Sequence, residues 1–137
     1  MYYVSSENND NSNFLFSIFT KNILDSHKSI RWVGIIDQDG IIINQQFRVG
    51  LKPFLTKEEN QEYATNIRNR HKTRSKFESK IGNLTYAFGR YQNSTRFTVS
   101  INENYYLLLT MDFEENNFDK IIMDKIIPLV KQEKNKL

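Results

Sequence analysis

Basic side chains supply the densest chemistry in this 137-residue sequence. Arg68, Arg70, Lys72, Arg74, Lys76 and Lys80 stand against the single acid Glu78, with His71 among them. Residues 1–55 balance five bases with five acids and residues 82–137 balance seven with seven, so the whole net charge of +3 resides in 56–81. Charge concentrated in this way steers an anionic partner, unless it is only the solvated face of a helix. At about 100° per residue, Tyr63, Ile67, Phe77 and Ile81 fall on one helical stripe, and Arg70 and Arg74 share it. Arg68, Lys72 and Lys76 lie roughly opposite, toward solvent. Three arrangements are open: a helix broken between Asn69 and Ser75, arginine stems lying flat with their heads in water, or guanidinium groups presented to an anion or to acids of a partner. Burying two unpaired guanidinium groups is prohibitive. Arg70 and Arg74 are therefore expected to meet carboxylates of a twofold mate or a partner protein, while Arg68, Lys72 and Lys76 add longer-range attraction that weakens with salt.

Other reactive types are sparse. There is no cysteine, which removes disulfides, thiol nucleophiles and thiolate metal sites, and His27 and His71 are the only histidines. His27 ends a helix and suits its dipole there, as Glu114 and Glu115 suit the start of another; His71 reads as solvated. Asp37-x-Asp39-Gly40 has the opening of a calcium loop, but Ile41, Ile42 and Ile43 follow where further oxygen ligands would be needed, so a turn is expected. No Gly-x-Ser-x-Gly elbow and no glycine-rich phosphate loop occurs. No catalytic residue, metal site or cofactor is therefore assigned, and the chain is expected not to be an enzyme. No apolar run approaches the ~20 residues that span a bilayer, and the first residues lack the basic and apolar regions of a signal peptide, so a cytoplasmic protein without membrane insertion is expected.

With 39% hydrophobic residues the chain holds one ordinary core. Residues 5–13 are polar and without periodicity, so 1–12 read as a flexible tail, 13–132 as the domain, and 133–137 as a solvated end. Leu15, Ile18, Phe19 and Ile23 predict a helix from Phe14 to about Ser26. Ile30 to Asp37 and Ile41 to Phe47, joined by the Asp-Gly turn, predict a hairpin. Thr56 and Glu59 form a capping box that opens a helix running toward Ile81, with Gly82 beyond it. Leu84 to Tyr91, Arg96 to Ile101 and Tyr105 to Phe113 predict a meander, and a last helix runs from Phe118 to about Gln132, where Pro128 can kink it. The order α-ββ-α-βββ-α predicts an α+β sandwich on a five-stranded antiparallel sheet. In the third strand, Leu84, Tyr86 and Phe88 form a bulky face. Thr85, Ala87 and Gly89 form a small one, which admits close approach of the chain's own second helix or of a neighbouring subunit.

Residues 56–135 alone follow the α-βββ-α order of a double-stranded-RNA-binding domain, but the start of the last helix, Asn117 to Ile122, supplies one lysine and an acid where a lysine cluster is needed. Nucleic acid is therefore disfavoured, and a basic-helix nucleic-acid binder stands only as an alternative.

The helix before Val33-Gly34-Ile35-Ile36-Asp37-Gln38-Asp39-Gly40-Ile41-Ile42 and that hairpin resemble the opening of the roadblock/LC7 family, and the later elements follow in the same order. Ile30 to Asp37, Gly50 to Leu55, Arg70, Arg74, Phe77, Gly82 and Tyr105 to Leu109 are more narrowly similar to small uncharacterised archaeal proteins that look like roadblock variants. The resemblance implies profilin-like layering and homodimers in which the second helix and third strand meet their mates. It also implies a non-catalytic platform for small GTPases or larger assemblies. Arg70, Arg74, Phe77, Thr85, Ala87 and Gly89 become the expected interface. The basic second helix departs from the family pattern, since it sets like charges near one another across a twofold axis unless acids or anions intervene. A small-ligand sensor of the PAS or Cache type, which requires a cavity between sheet and helices, is the alternative from another class.

Overall fold

A computed structural model describes residues 2–137, with side chains from Asn13 onward. Helix α1 (Tyr2–Asp25) leads into β1 (Ile30–Ile36) and β2 (Ile42–Phe47). Then come α2 (Lys57–Arg74), a 3₁₀ turn (Ser75–Phe77) and the single turn α3 (Glu78–Ile81). β3 (Ala87–Arg90), β4 (Ser94–Ser100) and β5 (Tyr106–Asp112) form the meander, and the last helix comprises α4 (Phe118–Ile121), a π turn (Ile122–Ile126) and α5 (Ile127–Glu133). The five antiparallel strands lie in the order β2-β1-β5-β4-β3. This is the expected α+β sandwich.

One sheet face carries the larger core. Phe16, Phe19 and Ile23 of α1 and Ile122, Ile126 and Val130 of the last helix close over Val33, Ile35, Phe97, Leu107 and Leu109. A sensor of the PAS or Cache type would need that layer open, and here it is filled with side chains. α1 departs from its expectation twice. Its backbone is helical from Tyr2, where a tail up to residue 12 was expected; neither proline nor glycine occurs before Gly34 to break it. Its inner face is Phe16, Phe19, Thr20, Ile23 and Leu24, while Leu15 and Ile18 are exposed. Thr20 holds its buried place by bonding: it donates to the Phe16 carbonyl at 3.0 Å and its oxygen accepts from Gln46 Nε2 at 2.8 Å. Arg48 closes the other end of α1, donating to the carbonyls of Leu24, His27 and Ile30. Pro128, expected to kink the last helix, follows the π turn, where the ladder has already widened.

On the opposite face Trp32, Ile36 and Leu108 meet Ala64 and Ile67 of α2. The Asp37–Gly40 turn behaves as expected, with Asp37 Oδ1 accepting from the amides of Asp39 and Ile41. Gly40, at φ 78°, permits α2 to press on the turn: a Cβ there would sit 3.2 Å from Thr65 Cα and Arg68 Cβ. Gly34 makes room of another kind. The Trp32 ring lies across it, 2.6 Å from where a Cβ would stand. Gly34→Ala should therefore push the indole against α2 and lower unfolding stability by about 1–3 kcal/mol, read as a fall in urea midpoint at unchanged slope.

Candidate interaction surface

Helix α2 sets the geometry of the face opposite α1. Its capping box is formed as expected: Thr56 Oγ1 accepts from the Glu59 amide at 3.1 Å and Glu59 accepts from the Thr56 amide at 3.0 Å. The helix is unbroken through Arg74, so the break considered between Asn69 and Ser75 is absent, and a 3₁₀ turn begins at Ser75.

Its inner stripe differs from the expected one. Asn60, Ala64 and Ile67 are buried, and His71 continues that line with its ring 4.4 Å from that of Tyr106. Tyr63 is half-buried, whereas Phe77 and Ile81 are 54% and 84% exposed. The cause is steric: the sheet presents bulky Trp32 and Leu108, so small Ala64 and compact Asn60 occupy the close approach. The 3₁₀ turn then changes the helical phase before Phe77. Arg70 and Arg74 consequently lie outside the core, exposed, with Arg70 5.8 Å from the Tyr63 ring. Among the described residues neither has an ion-pair partner. Arg68, expected to act at long range, donates from Nε to the Gln38 carbonyl at 2.7 Å and binds the helix to the hairpin turn. Lys72 and Lys76 are exposed as expected.

His71 is a further correction, since it docks on the sheet rather than lying in solvent. Burial lowers its pKa from the ordinary 6.5; Glu78 opposes the shift and Arg74 adds to it. The sign follows from linkage: a depressed folded-state value gives stability that is complete above about pH 6.5 and is lost as pH falls through the lower value. Urea midpoints measured on the acid side of 6.5 should fall further for the native chain than for His71→Phe.

β3 begins at Ala87, later than the expected Leu84, and forms one edge of the sheet. Beyond β4, it pairs with no strand among the described residues. Ala87 and Gly89 face the α2 side, opposite Thr98 and Arg96, while exposed Thr85 precedes the strand. Ala87 and Gly89 are half-buried, and a Cβ on Gly89 would find its nearest neighbours not in α2 but in the Tyr91 ring, at 3.4 Å and beyond. The Tyr63 and Tyr91 hydroxyls, 3.2 Å apart, join α2 to the end of the edge strand. Burial and that hydrogen bond raise the Tyr63 pKa. Beside the edge, Arg74, Phe77 and Ile81 form one wall of an open groove and Leu84 and Tyr86 the other. Of the residues expected at an interface, Arg74, Phe77 and Thr85 line this groove, whereas Ala87 and Gly89 lie on the adjoining edge strand and Arg70 one turn back along α2. The docking of His71 on Tyr106 and the Tyr63–Tyr91 bond were not expected; extending the Asn60, Ala64, Ile67 spacing by one turn places His71 on the inner line.

The exposed side of α2 carries a second pattern. Glu58, Glu62, Asn66, Arg70 and Arg74 follow one another at four-residue steps and all are exposed. They form a single ridge, acidic at one end and basic at the other.

Among the described residues no helix is long and apolar enough to cross a membrane, and no cluster of three His, Cys, Asp or Glu is placed to hold a metal ion. No protein-family model matches the sequence, and no curated protein does. Solved structures match throughout. The gliding protein MglB of Thermus thermophilus superposes with a TM-score of 0.71 at 10% identity, over 91% of this chain and 92% of that one. A roadblock/LC7 domain of Streptomyces avermitilis gives 0.67 at 9% identity, over 86% and 93%. MglC of Myxococcus xanthus gives 0.58 at 13%, over 90% and 99%. At such identities the likeness establishes the fold, which is that of roadblock/LC7 domains.

Proposed function

We propose that this roadblock-fold chain is a non-catalytic interaction module that pairs with a second copy through α2 and the free edge of β3, forming a platform for a small GTPase. The observation that carries the reading is the open β3 edge, with small, half-buried Ala87 and Gly89 on one face and exposed Phe77 and Ile81 nearby. An edge with unpaired amides and carbonyls invites another strand, and a twofold axis would continue the sheet into a mate.

The ridge on α2 answers the problem of like charges. Centred on Asn66, an antiparallel mate places Glu62 opposite the mate's Arg70, and Glu58 opposite its Arg74. Each arginine then meets an acid, as the sequence led one to expect, and the acids come from the first turns of the same helix. One structural neighbour, an MglB, has a tetrameric arrangement, so self-association occurs on this fold. The narrower likeness to small archaeal proteins and a cytoplasmic location belong to this proposal and rest on the sequence.

A titration against a purified small GTPase of the same organism, in GDP-bound and GTP-analogue-bound forms, tests the platform. Saturable binding should weaken for Arg70→Ala with Arg74→Ala, and Lys72→Ala with Lys76→Ala should mainly slow association. Binding to duplex RNA of any sequence, falling steeply with salt, would favour the nucleic-acid reading instead. Failure to bind a GTPase in either form would remove the platform and leave the dimer to be judged alone.

A further inference from the structure

A cleft opens at the other end of the sheet from α3, between the strands and the segment joining β2 to α2. Arg96 and Thr110, paired across β4 and β5, lie in it together with Asn60. Trp32, Phe47 and Phe54 supply apolar walls. Open to solvent above, its floor encloses about 20 Å³, room for little more than one water-sized group.

The chemistry of the floor is unbalanced. The Arg96 guanidinium stands 4.1 Å from the Tyr63 ring and 5.3 Å from the Trp32 ring, and Nη2 donates to Asn60 Oδ1 at 3.1 Å. Aromatic faces attract the cation but do not accept its in-plane N–H groups, and a guanidinium has five. Burial draws its pKa down, opposed by the Tyr63 and Tyr91 phenols and by a hydrogen bond to Tyr63, yet arginine stays charged, and those contacts and Asn60 leave some of its five N–H groups free. Among the described residues it has no carboxylate partner; Asp112 is taken by Arg31, at 2.7 Å. Beside it Thr110, 4% exposed, has a buried hydroxyl with no hydrogen-bond partner among the described residues. A half-buried cation without an acid and a buried hydroxyl without a partner each carry a cost, and here they line one cleft. Arg48, also on the cleft, meets only carbonyls, so no acid there offsets its charge.

We propose that this cleft binds a small organic monocarboxylate, its head on Arg96 and Thr110 and its apolar body between Phe47 and Phe54. A flat, singly charged head suits the narrow floor better than a tetrahedral dianion, since Arg31 is already held by Asp112 and Arg48 by backbone carbonyls, which leaves Arg96 to meet it. Phe54, half exposed and stacked under the Arg31 guanidinium at 4.3 Å, forms the outer wall.

Trp32, the only tryptophan, reports on the site directly. Benzoate should change its emission saturably, with a dissociation constant on the order of 1 mM, as befits so small a ligand. Benzyl alcohol and phenyl phosphate should bind at least about tenfold more weakly. Thr110→Val, close in shape, should weaken benzoate about five- to tenfold while leaving the melting curve cooperative. Phe54→Ser, at an exposed position, should weaken it without unfolding the chain, which covers the case in which Arg96→Lys fails to fold. No saturable response to benzoate, an equal response to benzyl alcohol, tighter binding of phenyl phosphate, or full retention in both Thr110→Val and Phe54→Ser would overturn the proposal.

Discussion

Chains carrying Arg70→Glu and Arg74→Glu should lose self-association, with a dimer dissociation constant raised about 100-fold. The substitutions turn the α2 ridge acidic from end to end, so each contact with the mate's Glu58 and Glu62 changes from attraction to repulsion. Exposed pairs contribute roughly 0.2–1 kcal/mol each, and the twofold axis repeats every one of them. The complementary variant, Glu58→Lys with Glu62→Arg, should fail alone in the same way. Mixing the two variants should restore a dimer, and raising the salt should weaken it. Light scattering of the separate and mixed chains reads this. A ridge that merely faces water would leave association unchanged in all three samples. Folding should be little affected, because all five ridge positions are exposed and Glu59, which closes the capping box, is kept.

Gly89→Trp should loosen the dimer by at least about tenfold while shifting the melting temperature of the separated subunit by only a few degrees. On its own chain an added side chain at Gly89 would first meet the ring of Tyr91, at 3.4 Å. Gly89 is half-buried on the α2-side face of β3, and in the proposed dimer the bulk of the indole would fall where the mate approaches. Thermal melts run beside dilution experiments separate the two effects. Equal losses in both would make Gly89 a packing residue of its own subunit, as the sequence also allowed.

The parts of this fold that were legible in the sequence are those where local chemistry and tertiary packing agree. Asp37 bonds its own turn, Thr56 and Glu59 cap one another, and the apolar runs on either side of Gly40 have nowhere to go but a half-buried sheet. Legibility fails where a polar or small residue takes a buried place. Thr20 is inside because Gln46 and a helix carbonyl satisfy it, and Asn60 is inside because Arg96 donates to it. Ala64 is inside because Trp32 fills the volume opposite. Reading large apolar residues as the core therefore displaced the inner stripes of both α1 and α2; Arg70 and Arg74, which that reading set on the α2 stripe, are exposed, as in the arrangement with their heads in water. The small face of β3 is not touched by that error, since it depends on alternation within one strand and not on helical phase. The cleft at Arg96 was not foreseen at all. It depends on Arg96, Thr110 and Asn60 meeting from three elements, and no local spacing joins them.

Sedimentation equilibrium of the unmodified chain across the micromolar range tests the central claim most directly. A single chain has a mass of 16.3 kDa. If α2 and β3 pair with a second copy, the weight-average mass should stand near twice that value and fall toward one chain only on dilution or at high salt. A mass of one chain throughout the range, at low salt and with the protein folded, would contradict it.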